Sequence, residues 1–338
     1  MTGDSATVFA AQRGRLFGLA YRLLGSASDA EDVLQDAFLR WDGTDRGLVV
    51  EPAAWLTRVV TNLCLTELGS ARQRRERYTG VWLPEPVLTG TATHAGTGAA
   101  VAAEELGPLE TVAQRESVSM AMLLLCEQLT APERAVFILH EAFGYRYGEI
   151  ADIIGRSEAA CRQLGHRAAG RLHAESRHAR FTPSDPAQAA RWRELTSQFL
   201  AAAAAGDLVG LEHLLAEDVV SWSDGGGKVP AGMRPVVGRA KVARVFAALG
   251  PSLAGGPLIP ALAHSLGEKL RGGLQLSEAE VNGSPSMLIW AGDELLGVQV
   301  PVIEAWKITA LYTVAAPDKL VVAVRQARAS RNAELPSQ

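Results

Sequence analysis

Apolar and polar positions alternate with helical period through the first part of the chain. From Phe9 to Leu24, the residues Leu16, Leu19, Ala20 and Leu23 recur on one face, and Gly25-Ser26 closes the predicted helix. A second helix is predicted from Ser28, with Glu31 three residues on as a capping box. Its apolar stripe is Ala30, Val33, Leu34, Ala37, Phe38 and Trp41; Glu31, Asp32, Gln35, Asp36 and Arg40 lie opposite. A third helix starts near Pro52, buries Trp55, Leu56, Val59, Val60 and Leu63, and runs into a basic end, Arg72 to Arg77. Residues 79–107 lose all period, are rich in Gly, Thr, Ala and Pro, and read as a linker. Inside it Trp82-Leu83-Pro84-Glu85-Pro86 is stiff and apolar, either a surface turn or a segment that docks on a partner surface.

Helical period resumes at Glu116, with Met120, Leu123, Leu124 and Leu129 as core positions. Thr130-Ala-Pro-Glu133 is another capping box, opening a helix that stops at Gly144. A short helix, Tyr147 to Ile153, then turns at Gly155-Arg156 into a helix capped by Ser157. On that helix Cys161, Leu164, Ala168 and Leu172 share one face, and Arg162, Gln163, His166, Arg167 and Arg171 share the other. Two helices around a Gly-containing turn, the second basic, form a helix-turn-helix signature. Beyond the Pro-punctuated stretch 181–186, helices are predicted near 187–205 and 208–215. Short β-rich runs follow at 219–222, 286–291, 294–303, 305–314 and 321–323. They suggest a curved antiparallel sheet packed on helices, an α+β domain.

Charge sharpens this picture. The chain of 338 residues is 48% hydrophobic and 21% charged, which excludes a disordered polyelectrolyte. Its net charge of −4 argues against uniform coating of nucleic acid or membrane. Residues 156–180 nevertheless hold six arginines against two glutamates, and Arg72 to Arg77 form a second basic patch. All five lysines lie at or after Lys228. Cys64, Cys126 and Cys161 make no CxxC pair, which fits a reducing compartment. No secretory signal or membrane-length apolar run is visible, so a soluble cytoplasmic protein is expected.

Arginine and glutamine on the first half of a helix suit base edges, and arginine suits phosphates, because the guanidinium forks bidentately. The candidates are Arg156, Ser157, Glu158, Ala159, Arg162, Gln163, His166 and Arg167; the alternative is a solvated helix face. Arg72, Arg74, Arg75 and Arg77 could track a nucleic-acid backbone while Arg58 and Asn62 meet exposed bases. The same run could instead complement a helix dipole.

The order of these segments resembles the extracytoplasmic-function (ECF) sigma factors of bacterial RNA polymerase. The residues that carry the resemblance are Asp29 to Trp41, Ala54 to Cys64, Arg72 to Arg77, and Tyr147 to Arg167. The resemblance implies an all-α sigma region 2 domain at 7–78, a linker at 79–115, and a sigma region 4 helix-turn-helix domain at 116–180. It implies that Asp32, Gln35, Asp36 and Arg40 bind the β′ clamp helices of core polymerase, and that the β subunit is contacted too. By the same resemblance, Arg58 to Arg77 melt and read the −10 element, the helix from Ser157 reads the −35 element, and the linker threads towards the RNA exit path.

Three further motifs occur together: Trp82-Leu-Pro-Glu-Pro86, Asp224-Gly225-Gly226-Gly227-Lys228 and Pro317-Asp318-Lys319-Leu320. They resemble the ECF group with a fused, cone-shaped α+β SnoaL-like domain, the SigJ type, here at 185–326. Two positions depart from that pattern: Gly165, where a larger apolar residue is usual, and Ala316, where Asn is frequent. The expected role of the last domain is a built-in regulator that contacts the first domain or the linker. Its cone could hold an unidentified small molecule; no cofactor or metal is expected. One alternative is a ligand-sensing helix-turn-helix regulator, which leaves the first three helices without a task. The other is a SnoaL-like isomerase or cyclase using Asp224 with Lys228 or His264 as an acid–base pair.

Overall fold

The structure, a computed structural model, describes residues 3–76, 78–89, 116–176, 182–183, 185–229, 232, 234–253 and 274–333. Arg77 and His264 lie outside the described residues, and the side chains of Arg72 and Arg74 are not described. The chain divides into two compact units, Met1–Arg77 with Ala103–Ala179, and Tyr78–Ala102 with Arg180–Gln338.

In the first unit the amphipathic stripes decide the packing. Helices α1 (Gly3–Leu24), α2 (Ala27–Asp42) and α3 (Pro52–Glu76) lie against one another. They bury Leu16, Phe17, Leu23, Leu34, Trp41, Leu56 and Val60. Trp41 Nε1 donates to the Ser5 carbonyl at 3.1 Å, and its ring meets Trp55 with centroids 5.4 Å apart. The α2 cap is Ser26 rather than Ser28: Ser26 Oγ accepts from the Asp29 N–H at 3.0 Å. Ser28 lies inside the first turn, so the capping box read from the sequence is two residues late.

The same unit contains α4 (Met120–Cys126), α5 (Ala131–Glu141), α6 (Tyr147–Ile154) and α7 (Glu158–Ser176). Helix α7 packs on both α5 and α6, burying Cys161, Leu164, Ala168 and Leu172 as the period requires. Ser157 Oγ accepts from the Ala160 N–H at 3.2 Å and caps α7. Gly165 has a packing reason: a Cβ there would stand 2.8 Å from the Tyr147 hydroxyl and 3.0 Å from its ring. Tyr147, stacked on His140 at 4.5 Å, thus occupies the space that a larger residue would need.

The second unit is α+β. Its six-stranded sheet has the order β2-β1-β6-β5-β4-β3, with β1 (Leu215–Asp224), β2 (Val236–Val237), β3 (Leu274–Val281), β4 (Ser284–Ala291), β5 (Glu294–Glu304) and β6 (Lys307–Val314). The sheet is mixed rather than wholly antiparallel, because β1 pairs parallel with β6. Helices α8 (Pro186–Ala204), α9 (Leu208–Leu214) and α10 (Arg239–Leu253) share a core with it, built from Trp192, Phe199, Leu211, Val242, Val219 and Leu311. Residues 321–323 belong to α11 (Val321–Ala333), not to a strand. Their β-branched run is short, and Val322, Ala323, Gln326 and Ala327 are buried at helical spacing.

The Gly165–Tyr147 contact sets a prediction. Gly165→Ala gains about 1 kcal/mol of helix propensity in principle, yet should lower the melting temperature of the intact chain. In a Tyr147→Leu background the same change should raise it. A rise in both backgrounds would contradict the packing account.

Candidate nucleic-acid interface

Helix α2 presents Asp32, Gln35, Asp36 and Arg40 as one exposed strip, because the stripe opposite is buried. Glu31 is tied instead to Arg13, at 2.6 Å. Leu39 stands within the strip at 62% exposure, and in the connection to α3 Leu48 and Val50 are exposed as well. The sequence reading passed over these three apolar side chains. Their signal was placement, since Leu39 falls outside the α2 stripe and the other two have charged or Gly neighbours.

On α3, Arg58 and Asn62 are exposed one turn apart. The Asn62 amide donates to its own helix at Arg58 O (2.8 Å) and to Ile153 O of α6 (3.1 Å). Arg75, read from sequence as a nucleic-acid arginine, is engaged within the unit: it is paired with Glu127 and donates to Leu24 O at 2.5 Å.

Every candidate of the helix-turn-helix is exposed: Arg156, Ser157, Glu158, Ala159, Arg162, Gln163, His166 and Arg167. Arg162 is paired with Glu158 on the same helix face, so these two present themselves jointly. Arg167 and Arg171 reach back to Glu133, at 3.1 and 2.8 Å. Glu133 also accepts from the Thr130 N–H at 3.1 Å and the Thr130 hydroxyl at 2.8 Å. The sequence identified Glu133 as a cap; the structure makes it the fastening between α5 and α7. Burial pushes the Glu133 carboxyl up, but the Thr130 donors and the two arginines outweigh burial and hold it below its ordinary range.

The second unit holds a different constellation. Asp224, at the end of β1, is 1% exposed. Its Oδ1 accepts from the Tyr78 hydroxyl (2.6 Å) and the Gly226 N–H (3.0 Å). Its Oδ2 accepts from the Leu83 N–H (2.8 Å) and Lys319 Nζ (2.6 Å). Lys319 Nζ also donates to Leu83 O at 2.5 Å and sits 4.5 Å from the Tyr78 ring centroid and 4.3 Å from that of Trp82. The ammonium is therefore satisfied by a carboxylate, a carbonyl and two aromatic faces. Burial, then the hydrogen bond to Asp224, pushes the Tyr78 phenol far up, so it stays a donor.

Residues after Trp82 are fastened in turn. Asn282 exchanges two bonds with Val87, Leu88 N–H donates to Gln326 Oε1 at 2.9 Å, and Thr89 bonds Glu280 through both backbone and side chain. Leu83, Pro84, Glu85 and Pro86 are buried. This segment is docked within the second unit rather than exposed as a surface turn. Gly226, at φ +61°, lies where a Cβ would stand 3.0 Å from the Ala316 methyl and 3.2 Å from the Tyr78 hydroxyl. That close approach accounts for glycine in the loop and for a small residue at 316. Lys228 and Asp318, both exposed, pair with each other. Asp224 and Lys228 thus form no acid–base pair. Tyr78, Asn282, Glu280 and Gln326 carry no local motif and escaped the sequence reading.

Two outcomes follow. Glu133, depressed in the fold, stabilises it above the ordinary carboxylate range and stops doing so as pH falls through its folded value. Thermal melts from pH 7 to 3 should therefore show a steeper acid loss for the natural chain than for Glu133→Gln; parallel curves would contradict this. Asp224→Asn removes the carboxylate charge bonded to the buried Lys319 ammonium, a change that costs about 3–5 kcal/mol in comparable pairs. Protease cleavage within residues 78–89 should become faster, and unchanged cleavage would contradict the docked segment.

Comparison with known proteins agrees with this architecture. The family description "Sigma-70 region 2" matches residues 8–75, and "Sigma-70, region 4" matches residues 119–172. The chain is 37% identical over 317 residues to the ECF RNA polymerase sigma factor SigJ of Mycobacterium tuberculosis, spanning 92% of this chain and 91% of that one. It is 33% identical over 310 residues to the probable ECF sigma factor SigI of the same species, spanning 92% of both. The crystal structure of M. tuberculosis SigJ superposes with a TM-score of 0.66 at 33% identity, covering 94% of this chain and 98% of that one. Two sigma regions in order, followed by an α+β unit that the SigJ likeness also covers, place this chain in the family of ECF RNA polymerase sigma factors.

Proposed function

We propose that the chain directs core RNA polymerase to promoters whose −10 element is read by α3 and whose −35 element is read by α7, and that the second unit sets how the two readers are spaced. The exposed α2 strip, Asp32, Gln35, Asp36 and Arg40 with Leu39 among them, supports binding to the β′ clamp helices: it is mostly polar and carried on one helix. Arg58 and Asn62 suit bases of a melted strand. Arg156, Gln163 and His166 suit base edges in a major groove, and Arg162 with Glu158 adds a paired donor–acceptor face. The last segment of the linker, towards the β subunit and the RNA exit path, falls in residues outside the described set.

The observation that carries the regulatory part is the docking of residues 78–89 on Asp224, Lys319 and Asn282. Glu76 ends α3, so a docked Tyr78 leaves one residue, Arg77, between α3 and the second unit. On the other side eight residues separate Ser176 of α7 from Asp185, the cap of α8, a reach of about 30 Å at most. With 78–89 docked, both readers are on short tethers to the same unit. With it released, the tether from α3 runs on to Glu116, about 130 Å fully extended. A regulator acting through this segment needs no chemistry of its own, and the sheet offers no Asp224–Lys228 acid–base pair for an isomerase or cyclase.

The test is transcription by core polymerase from a randomised promoter library, read at transcript 5′ ends. The full chain should yield defined start sites, and Asp32→Ala/Asp36→Ala should lower its affinity for core about tenfold, worth ~1.4 kcal/mol. Transcripts no different from core alone would overturn the assignment.

A further inference from the structure

The two DNA-reading domains stand closer together than any promoter permits. The Asn62 amide is 3.1 Å from Ile153 O, and Ser157 lies four residues after Ile153, within about 15 Å of chain reach. The −10 and −35 elements are named for positions ~25 base pairs apart, which is ~85 Å of duplex at about 3.4 Å per base pair. The arrangement within this unit therefore cannot engage both elements at once.

Besides Asn62 and Ile153, several contacts among the described residues hold the domains together. Arg15 donates to Thr57 Oγ1 at 3.0 Å and to the Tyr145 hydroxyl, and its guanidinium lies 5.5 Å from the Phe143 ring centroid. Arg22, wholly buried, donates to Ser117 Oγ at 2.8 Å and lies 5.3 Å from the same ring. Burial lowers its pKa to about 9, with the Tyr21 phenol acting the other way. At the far edge Glu127 takes Arg75 on one oxygen and Arg134, at 2.8 Å, on the other; Arg134 also donates to Leu23 O at 2.9 Å. Arg75 belongs to the basic run at the end of α3, whose neighbours are arginines suited to a DNA backbone. A carboxylate paired with such an arginine occupies the place a phosphate oxygen would take.

We propose that this contact is an intramolecular gate, in which the Glu127 carboxylate from region 4 stands in for a promoter phosphate at Arg75 of region 2. The gate rests on the reading of α3 and α7 as the promoter readers. Closed, the unit hides Arg75 and fixes the readers too close. Opening exchanges Glu127 for DNA phosphate at Arg75, while core polymerase holds the domains apart. The gate lies wholly within the first unit and is independent of the docked linker.

The test uses the full chain with spin labels on Thr66→Cys and Glu141→Cys, two exposed positions on α3 and α5; the native cysteines are buried. The free chain should give one short distance. Glu127→Gln should add a longer population, and so should Tyr145→Phe, which loosens the opposite edge by one hydroxyl. On mixed-sequence duplex DNA, Glu127→Gln should bind several-fold more tightly. Its log K against log salt should steepen by about 1, the signature of one added phosphate contact. Arg75→Ala in the Glu127→Gln background should abolish that gain. A broad or long distance in the free natural chain, or an unchanged distribution in both variants, would overturn the gate. Opening without a steeper salt slope would overturn the role of Glu127 as a phosphate substitute. The distance readout needs no promoter, so failure of the gate is separable from failure of the promoter reading, which the transcription assay reports.

Discussion

One buried carboxylate organises the second unit. Asp224 receives four donors: a phenol, two backbone amides and an ammonium. Three of them come from outside its own loop, Tyr78 and Leu83 from the linker and Lys319 from the turn before α11. A charge with 1% exposure is tolerable only with such a complete set, because desolvation is costly and each missing partner leaves that cost uncompensated. The linker segment is therefore a structural part of this unit. The Trp82–Pro86 and Pro317–Leu320 motifs, bonded to Asp224 from 141 and 95 residues away, meet the Asp224–Lys228 motif around one charge.

Arginine serves the first unit in the same capacity. Arg15, Arg22, Arg75 and Arg134 join its two halves, and Arg167 and Arg171 tie α7 to α5. The absence of lysine before residue 228 thus has a structural side besides nucleic-acid binding. A planar fork reaches two acceptors and stacks on Phe143 in a way that an ammonium does not. Forked hydrogen bonds and ion pairs of this kind are suited to exchange partners with phosphate and carboxylate groups.

What could be read from the sequence was local. The α2 stripe, the Thr130–Glu133 box and the Ser157 cap depend on residues three to five apart, and they stand where the period placed them. The cap of α2 slipped because Ser26 and Ser28 are both good caps and only backbone geometry separates them. Pairings across long stretches were not legible. Strand β1 lies beside β6, parallel, although some 80 residues intervene. Arg75 reads as a DNA ligand because its neighbours are arginines, and nothing local announces its partner Glu127, 52 residues away. Trp82 to Pro86 announced docking by composition, but Asn282, Gln326 and Glu280 belong to no motif.

Spacing is what the proposed function turns on: under that reading, once core polymerase holds the two readers apart, the docked segment limits how far apart they can stand on one duplex. The most direct measurement is transcription from promoters that differ only in the number of base pairs between the −10 and −35 elements. The natural chain should show one narrow optimum, and Asp224→Asn, which frees residues 78–89, should broaden it while leaving the two elements unchanged. An optimum of equal position and width in both proteins would contradict the account.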